Sequence, residues 1–241
     1  MGRDPADRLP PEQVTSPASG LAQQAQEFGQ EMAGLLLATL PGLPEPPVQI
    51  LASGDRVIIR SAGSLPLCID RKRIAGLEIS VACQMDSSGS YLAIYESTYS
   101  LVADVDRTPL LRIHYRRYQQ AEPSAHIHVH GHRGALSHLL SRAGHEHPHD
   151  MAALHLPVGG SRFRPCLEDF IQFLLSECLL EGEAGWRQHV EDGRARWRLR
   201  QAAVVARDAP EEAARVLRNL GYTVTPPERL PEPVQKALRN W

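Results

Sequence analysis

Two runs decide how this chain is read: Leu110-Leu-Arg-Ile-His-Tyr-Arg-Arg-Tyr118 and, after a turn, Ala125-His-Ile-His-Val-His130. In the first, Leu111, Ile113 and Tyr115 alternate with Arg112, His114 and Arg116. In the second, Ile127 and Val129 alternate with His126, His128 and His130. Successive side chains of a β-strand point to opposite faces, so each run separates an apolar face from a basic one. If the two runs pair as a hairpin with their apolar positions on the core side, parity gathers Arg112, His114, Arg116, Tyr118, His126, His128 and His130 on the other face. Ten of the eleven histidines fall between His114 and His155, so the hairpin from Arg112 to Arg133 is where chemistry is expected.

The region from Val48 to His130 has a β pattern. Val48 to Leu51 and Arg56 to Ile59 flank a Ser-Gly-Asp turn, and Leu77 to Gln84 and Tyr91 to Val105 flank Asp86-Ser-Ser-Gly89. A turn from Asp104 to Pro109 then leads into Leu110 to Tyr118, and Ala121-Glu-Pro-Ser124 leads into Ala125 to His130. Short turns without intervening helices predict an antiparallel meander.

Helices flank this core. Leu21, Ala25, Phe28, Met32, Leu35 and Thr39 draw a narrow seam on a helix from about Leu21 to Leu40, which the segment Pro41 to Pro47 ends. That seam needs a partner, which is either the chain's own core or another protein, including a second copy. Helices are also expected over Ala135 to Arg142, Leu167 to Leu179 and Trp186 to Leu199, the second opened by Pro165 with Glu168 and Asp169 in its first turn. The tail reads as strand, helix, strand, with Pro210 at the start of its helix and Gly221 at the end. The expected class is α+β: an antiparallel β-meander with an N-terminal helix, flanking helices and a small C-terminal strand-helix-strand unit. The expected divisions are a disordered tail over 1–18, the helix and proline-rich connector over 19–47, the α+β core over 48–180 and an extension over 181–241.

Composition narrows the classes. A formal net charge of -2 gives no global attraction to nucleic acid or membrane, so any such binding rests on a local patch. Lysine occurs only at Lys72 and Lys236, which leaves arginine as nearly all the positive charge. Cys68, Cys83, Cys166 and Cys178 form no C-x-x-C pair and read as buried thiols. Neither an apolar leader nor an eighteen-residue apolar run is visible, so a cytoplasmic protein without a membrane partner is expected.

The histidine face has three physical readings. It is a solvated sheet surface; or a site for phosphate and proton transfer, with His126, His128, His130, Arg116 and Tyr118 as the catalytic set; or a metal site. For metal, two histidines at i and i+2 lie ~6–7 Å apart and can share an ion, whereas His126 and His130 are about 13 Å apart along a straight strand. His126 and His128 therefore need further ligands, drawn from His149, Asp150 or His155. Phosphate contacts are expected from Arg112, Arg133 and the arginines Arg162 and Arg164 of the glycine-containing loop before Pro165. Acid-base chemistry calls for no cofactor, and the metal reading calls for a divalent transition ion such as zinc.

The string His126-Ile-His-Val-His130 resembles the H-x-H-x-H core of the histidine-triad nucleotide hydrolases and transferases, which implies His128 as nucleophile. More broadly, the region from about Leu110 to Leu180 resembles the TumE-like toxins of bacterial toxin-antitoxin pairs. In that family a Y-x-Y-x-x-Q-type strand leads to an H-x-H cluster and an L-x-x-x-L-type helix. The resemblance implicates Tyr115, Tyr118, Gln119, His126 and His128. It implies a toxin-like or defence-related protein acting on RNA or a nucleotide through histidine acid-base chemistry, as a ribonuclease-like phosphodiesterase or nucleotide hydrolase. The alternative is a non-enzymatic metal-binding or protein-interaction module built on the same hairpin.

Overall fold

The computed structural model describes residues 17–241 except 54, 87, 106–108, 118–121, 132–133, 135–136, 138–140, 143, 154, 159–163, 230–231 and 240–241. It is an α+β fold. The strands are β1 (Val48–Ser53), β2 (Arg56–Ser61), β3 (Leu65–Ile69), β4 (Lys72–Met85), β5 (Leu92–Ala103), β6 (Pro109–Arg116), β7 (Ala125–Val129) and β8 (Leu156–Pro157). They form one eight-stranded sheet in the order β1-β2-β4-β5-β6-β7-β8, with β3 beside β4, and every pairing is antiparallel. The helices are α1 (Pro17–Thr39), α2 (Leu167–Ser176), α3 (Trp186–Asp208), α4 (Pro210–Asn219) and α5 (Gln235–Arg239).

One sheet face carries the core. Val57 and Ile59 from β2, Leu65 and Leu67 from β3, Leu77, Ile79, Val81 and Cys83 from β4, Tyr99 and Leu101 from β5 and Ile113 and Tyr115 from β6 are all buried. The period of two that separates apolar from polar residues in sequence thus becomes a single apolar surface. The seam of α1 lies on it: Leu21, Ala25, Met32, Leu35 and Thr39 are buried, with Leu36 and Leu40 beside them. Close approach is possible because Gly29 has no side chain, since a Cβ there would stand 2.5 Å from Ile50 Cδ1. The seam, for which a partner protein or self-association was the alternative, is therefore taken up by the chain's own core, and α1 begins at Pro17, inside the stretch expected to be disordered.

Helix α2 follows the expected start. The Asp169 carboxylate accepts the backbone N–H of Cys166 at 3.1 Å, satisfying a donor at the helix entrance, and also receives Arg194 Nε from α3 at 2.7 Å. Phe170 and Leu174 enter the core, and Phe170 stacks on Tyr99 of β5 with centroids 6.1 Å apart. Arg200 of α3 pairs with Glu31 of α1 at 2.7 and 2.5 Å, tying the two long helices together.

The C-terminal strand-helix-strand unit takes another form. Only its middle helix, α4, matches; residues 202–206, expected as a strand, continue α3, and residues 222–225 form no strand. Extending an existing helix by one residue closes a hydrogen bond at little cost, and Gln201, Ala202, Ala203 and Arg207 favour it. Two strands add to those expected, β3 with its internal Pro66 and the two-residue β8. Among the described residues, no helix is long and apolar enough to cross a membrane. The helix expected over Ala135 to Arg142 falls largely outside the described residues.

Because Met32 is 4% exposed within the main core, Met32→Ala should cost about 2–5 kcal/mol of folding free energy. Urea unfolding measures this, and the sedimentation coefficient of the folded variant should match that of the parent. A loss of oligomeric state without loss of stability would instead place the seam at an interface.

Candidate metal centre

The β6–β7 register sets Leu111 opposite Val129, Arg112 opposite His128, Ile113 opposite Ile127, His114 opposite His126 and Tyr115 opposite Ala125. Ile113 and Tyr115 face the buried core, so His114, His126 and His128 share the other face with Arg112 and Arg116. Strand β5 adds to the same face: Thr98 pairs with His114, and Glu96, next to the β-bulge at Tyr95, pairs with Arg116. The opposite edge of β7 is closed by β8 and by a short 3-10 turn, Met151–Ala153.

Within this frame the rings pack closely. Ring centroids lie 5.0 Å apart for His114 and His126, and 4.7 Å for His126 and His128. His155, just before β8, lies 4.7 Å from His126 and 4.8 Å from His128. His126 has no exposed surface, although its face of the sheet is the one sequence parity assigns to polar groups.

Each of three rings is held from behind by an acceptor. His126 Nδ1 is 2.7 Å from the Pro123 carbonyl oxygen, His128 Nδ1 is 2.7 Å from that of Ala152, and His114 Nε2 is 3.1 Å from Glu96 Oε1. A carbonyl or carboxylate oxygen only accepts, so the hydrogen sits on the nitrogen facing it. The other nitrogens, His126 Nε2, His128 Nε2 and His114 Nδ1, then carry no hydrogen and can each donate a lone pair. Two of these lone pairs face each other, since His114 Nδ1 and His126 Nε2 are 3.2 Å apart. Two nitrogens so placed can both ligate one metal ion. Donor atoms tetrahedrally placed around zinc are about 3.4 Å apart, from a metal–nitrogen distance of about 2.05 Å. The donor atoms of His114, His126 and His128 all lie within 4.8 Å of one another. Outer-nitrogen hydrogen bonds of this kind fix tautomer and ring orientation in metal-bound histidines.

A second trio, Glu122, His126 and His155, meets the same spacing. Here Glu122 Oε1 and His155 Nε2 are 3.0 Å apart and engage each other, while Glu122 Oε2 stands 3.9 Å from His126 Nε2. Of the further ligands that sequence spacing offered, His155 joins this second trio, whereas His114 and Glu122, the latter inside a turn that reads only as a connection, were not among them. The alternation of His114 in its strand carried the signal for the first; nothing local marked Glu122 or Glu96.

Other expected residues fall elsewhere. His149 is exposed and belongs to neither trio, and His130 follows the end of β7 and also lies outside them. Arg164 is 8% exposed, with its guanidinium 3.9 Å from the Tyr115 ring centroid and 4.9 Å from that of Trp197. It therefore packs against the core side of the sheet, where a phosphate on the histidine face does not reach it. Arg112 remains on that face, donating from Nε to Ser100 Oγ at 3.3 Å, and Arg116 is exposed beside Tyr95 and Glu96. Tyr118, Gln119, Arg133 and Arg162 lie outside the described residues. Comparison with protein-family models, curated proteins and solved structures finds no match to this chain.

Burial holds His126 below the ordinary histidine range, and the neighbouring His114, His128 and His155 add to it, against the opposing pull of the Pro123 carbonyl. The folded state thus binds this proton less readily than the unfolded chain. Stability is whole above the unfolded value of about 6.5 and declines as pH falls below it, towards the lower folded value. In chelator-treated protein the thermal midpoint should fall between about pH 7 and pH 5, and His126→Asn should flatten that slope. A midpoint equally pH-dependent in parent and variant would remove His126 as its source.

Proposed function

We propose that this protein is a metal-dependent hydrolase that holds one zinc-like ion on His114, His126 and His128 and acts on a phosphate ester of RNA or a nucleotide. The observation that carries the proposal is the pair of facing lone pairs, His114 Nδ1 and His126 Nε2, 3.2 Å apart, with each ring fixed from behind. Three protein ligands leave a fourth position for water or substrate, which is the pattern of catalytic rather than closed structural zinc. Solvent reaches the cluster, where the His114 and His155 side chains are 21% and 27% exposed. An ion there would polarise a phosphoryl oxygen and lower the pKa of bound water. The phosphate preference rests on Arg112, directly across from His128, and on Arg116 at the other end of the cluster. A toxin-like or defence-related role is part of the proposal through the resemblance to TumE-like proteins, and growth arrest on expression in a bacterial host tests it.

Metal analysis of untagged protein, dialysed against a weak chelator, should find about one equivalent of zinc or a related ion. His114→Ala and His128→Ala should each lose most of it while keeping the fold. On RNA or nucleotide, His128→Ala should lower turnover by roughly a hundredfold or more. Arg116→Ala should instead weaken binding and reduce its salt dependence. Protein that takes up no metal, and leaves RNA and nucleotides intact with or without divalent ions, would overturn the proposal.

A second reading has one observation in its favour. His128 Nδ1 on the Ala152 carbonyl leaves Nε2 as an oriented nucleophile, as the histidine-triad resemblance implies. Full activity in the presence of a strong chelator would select it over the metal centre.

A further inference from the structure

The two trios share one atom. His126 Nδ1 is committed to the Pro123 carbonyl, so His126 offers a single donor, Nε2, to both His114/His128 and Glu122/His155. One lone pair coordinates one ion, so the cluster cannot hold two ions that both rely on His126. The two seats also differ in readiness. In the first, all three rings are oriented from behind and each leaves one nitrogen without a hydrogen; in the second, Glu122 Oε1 and His155 Nε2 already satisfy each other at 3.0 Å. With the ion in the first seat, Glu122 Oε2, 3.9 Å from His126 Nε2, is left beside the centre. His155, whose ring lies 4.7 Å from His126 and 4.8 Å from His128, keeps that carboxylate from turning away.

We infer that Glu122 is a catalytic residue of this centre, facing the open coordination position and accepting a hydrogen bond from the water held there, with His155 as its positioning residue. The inference rests on the proposed metal reading. With an ion bound, Glu122 would serve as the base: an O–H bond of the water would break, the electron pair would stay on the oxygen, and the proton would pass to Glu122 Oε2. The oxygen would be left as the nucleophile, and no oxidant or reductant would be involved. A carboxylate directed at the open position also has a consequence that needs no substrate, because its negative charge opposes any anion that replaces the water.

Cobalt(II) and azide test this on the full chain. Wild-type protein should bind about one equivalent of cobalt, seen as visible ligand-field absorption, and azide should perturb that absorption weakly. Glu122→Gln should bind cobalt with the same stoichiometry and take azide about tenfold more tightly or better. His155→Gln, which frees Glu122 from its anchor, should move azide affinity in the same direction by a smaller factor. An azide affinity unchanged within about twofold in Glu122→Gln would overturn the inference, as would loss of cobalt, which would make Glu122 a ligand. Should Glu122→Gln fail to fold, an unchanged azide affinity in His155→Gln would overturn it and a tighter one would support it. Failure of the wild type to take up cobalt would instead refute the metal reading itself, and this inference with it.

Discussion

The antiparallel register of β6 on β7 is the constraint on which the rest of the site depends. Setting Ile113 opposite Ile127 sends both side chains towards the helices and, by alternation, sets His114 opposite His126 with His128 two residues on. A slip of one residue would bury the imidazoles in the aliphatic core and expose Tyr115, which is 1% exposed, so burial of the core face enforces the register. The backbone bonds from Arg116 N–H to the Ser124 carbonyl at 2.8 Å and from His130 N–H to the Leu110 carbonyl at 3.0 Å close the pairing at its two ends. Residues of α1, α2 and α3 all join the core cluster on the apolar face, which leaves the opposite face to be organised by polar contacts.

Those contacts explain how a wholly buried histidine is tolerated there. A buried polar group without a partner costs about 1–3 kcal/mol, and His126 avoids this at Nδ1 through the Pro123 carbonyl. At Nε2 the neighbours are other imidazoles and the Glu122 carboxylate, a set of groups that could ligate a cation. Glu96 and Glu122 each engage a ring of the cluster, at His114 and His155, and bring negative charge towards such a cation. The sheet thus supplies rigid spacing from β6 and β7, while Glu96 of β5, the turn before β7 and the segment from Met151 to β8 supply the groups that orient the rings.

How much of this was legible in the sequence depends on the range of the interaction. Strand alternation is local, so the composition of the histidine face could be read from residues 110 to 130. Helix α2 was likewise legible, because Pro165 and the acids of its first turn mark its start. Glu96 reaches His114 across the β5–β6 pairing, and Glu122 meets His155 only after an intervening segment folds back, so neither has a signal at short spacing. Arg164 misled for the same reason: its loop looked suited to phosphate, but the fold turns the side chain towards Tyr115 and Trp197. At the C-terminus, Val204 and Val205 favour a strand locally, yet an isolated strand would have left its backbone groups without a sheet edge, and the preceding helix simply continues.

In the proposed centre, three imidazoles converge on one ion through nitrogens left open by their hydrogen bonds to Glu96, Pro123 and Ala152. X-ray absorption at the metal edge of zinc-loaded protein tests this most directly. The predicted result is a first shell of three nitrogen scatterers at about 2.0–2.1 Å with imidazole multiple scattering, plus one further oxygen, and no sulfur. A shell containing thiolate, or one with two imidazoles or fewer, would contradict it.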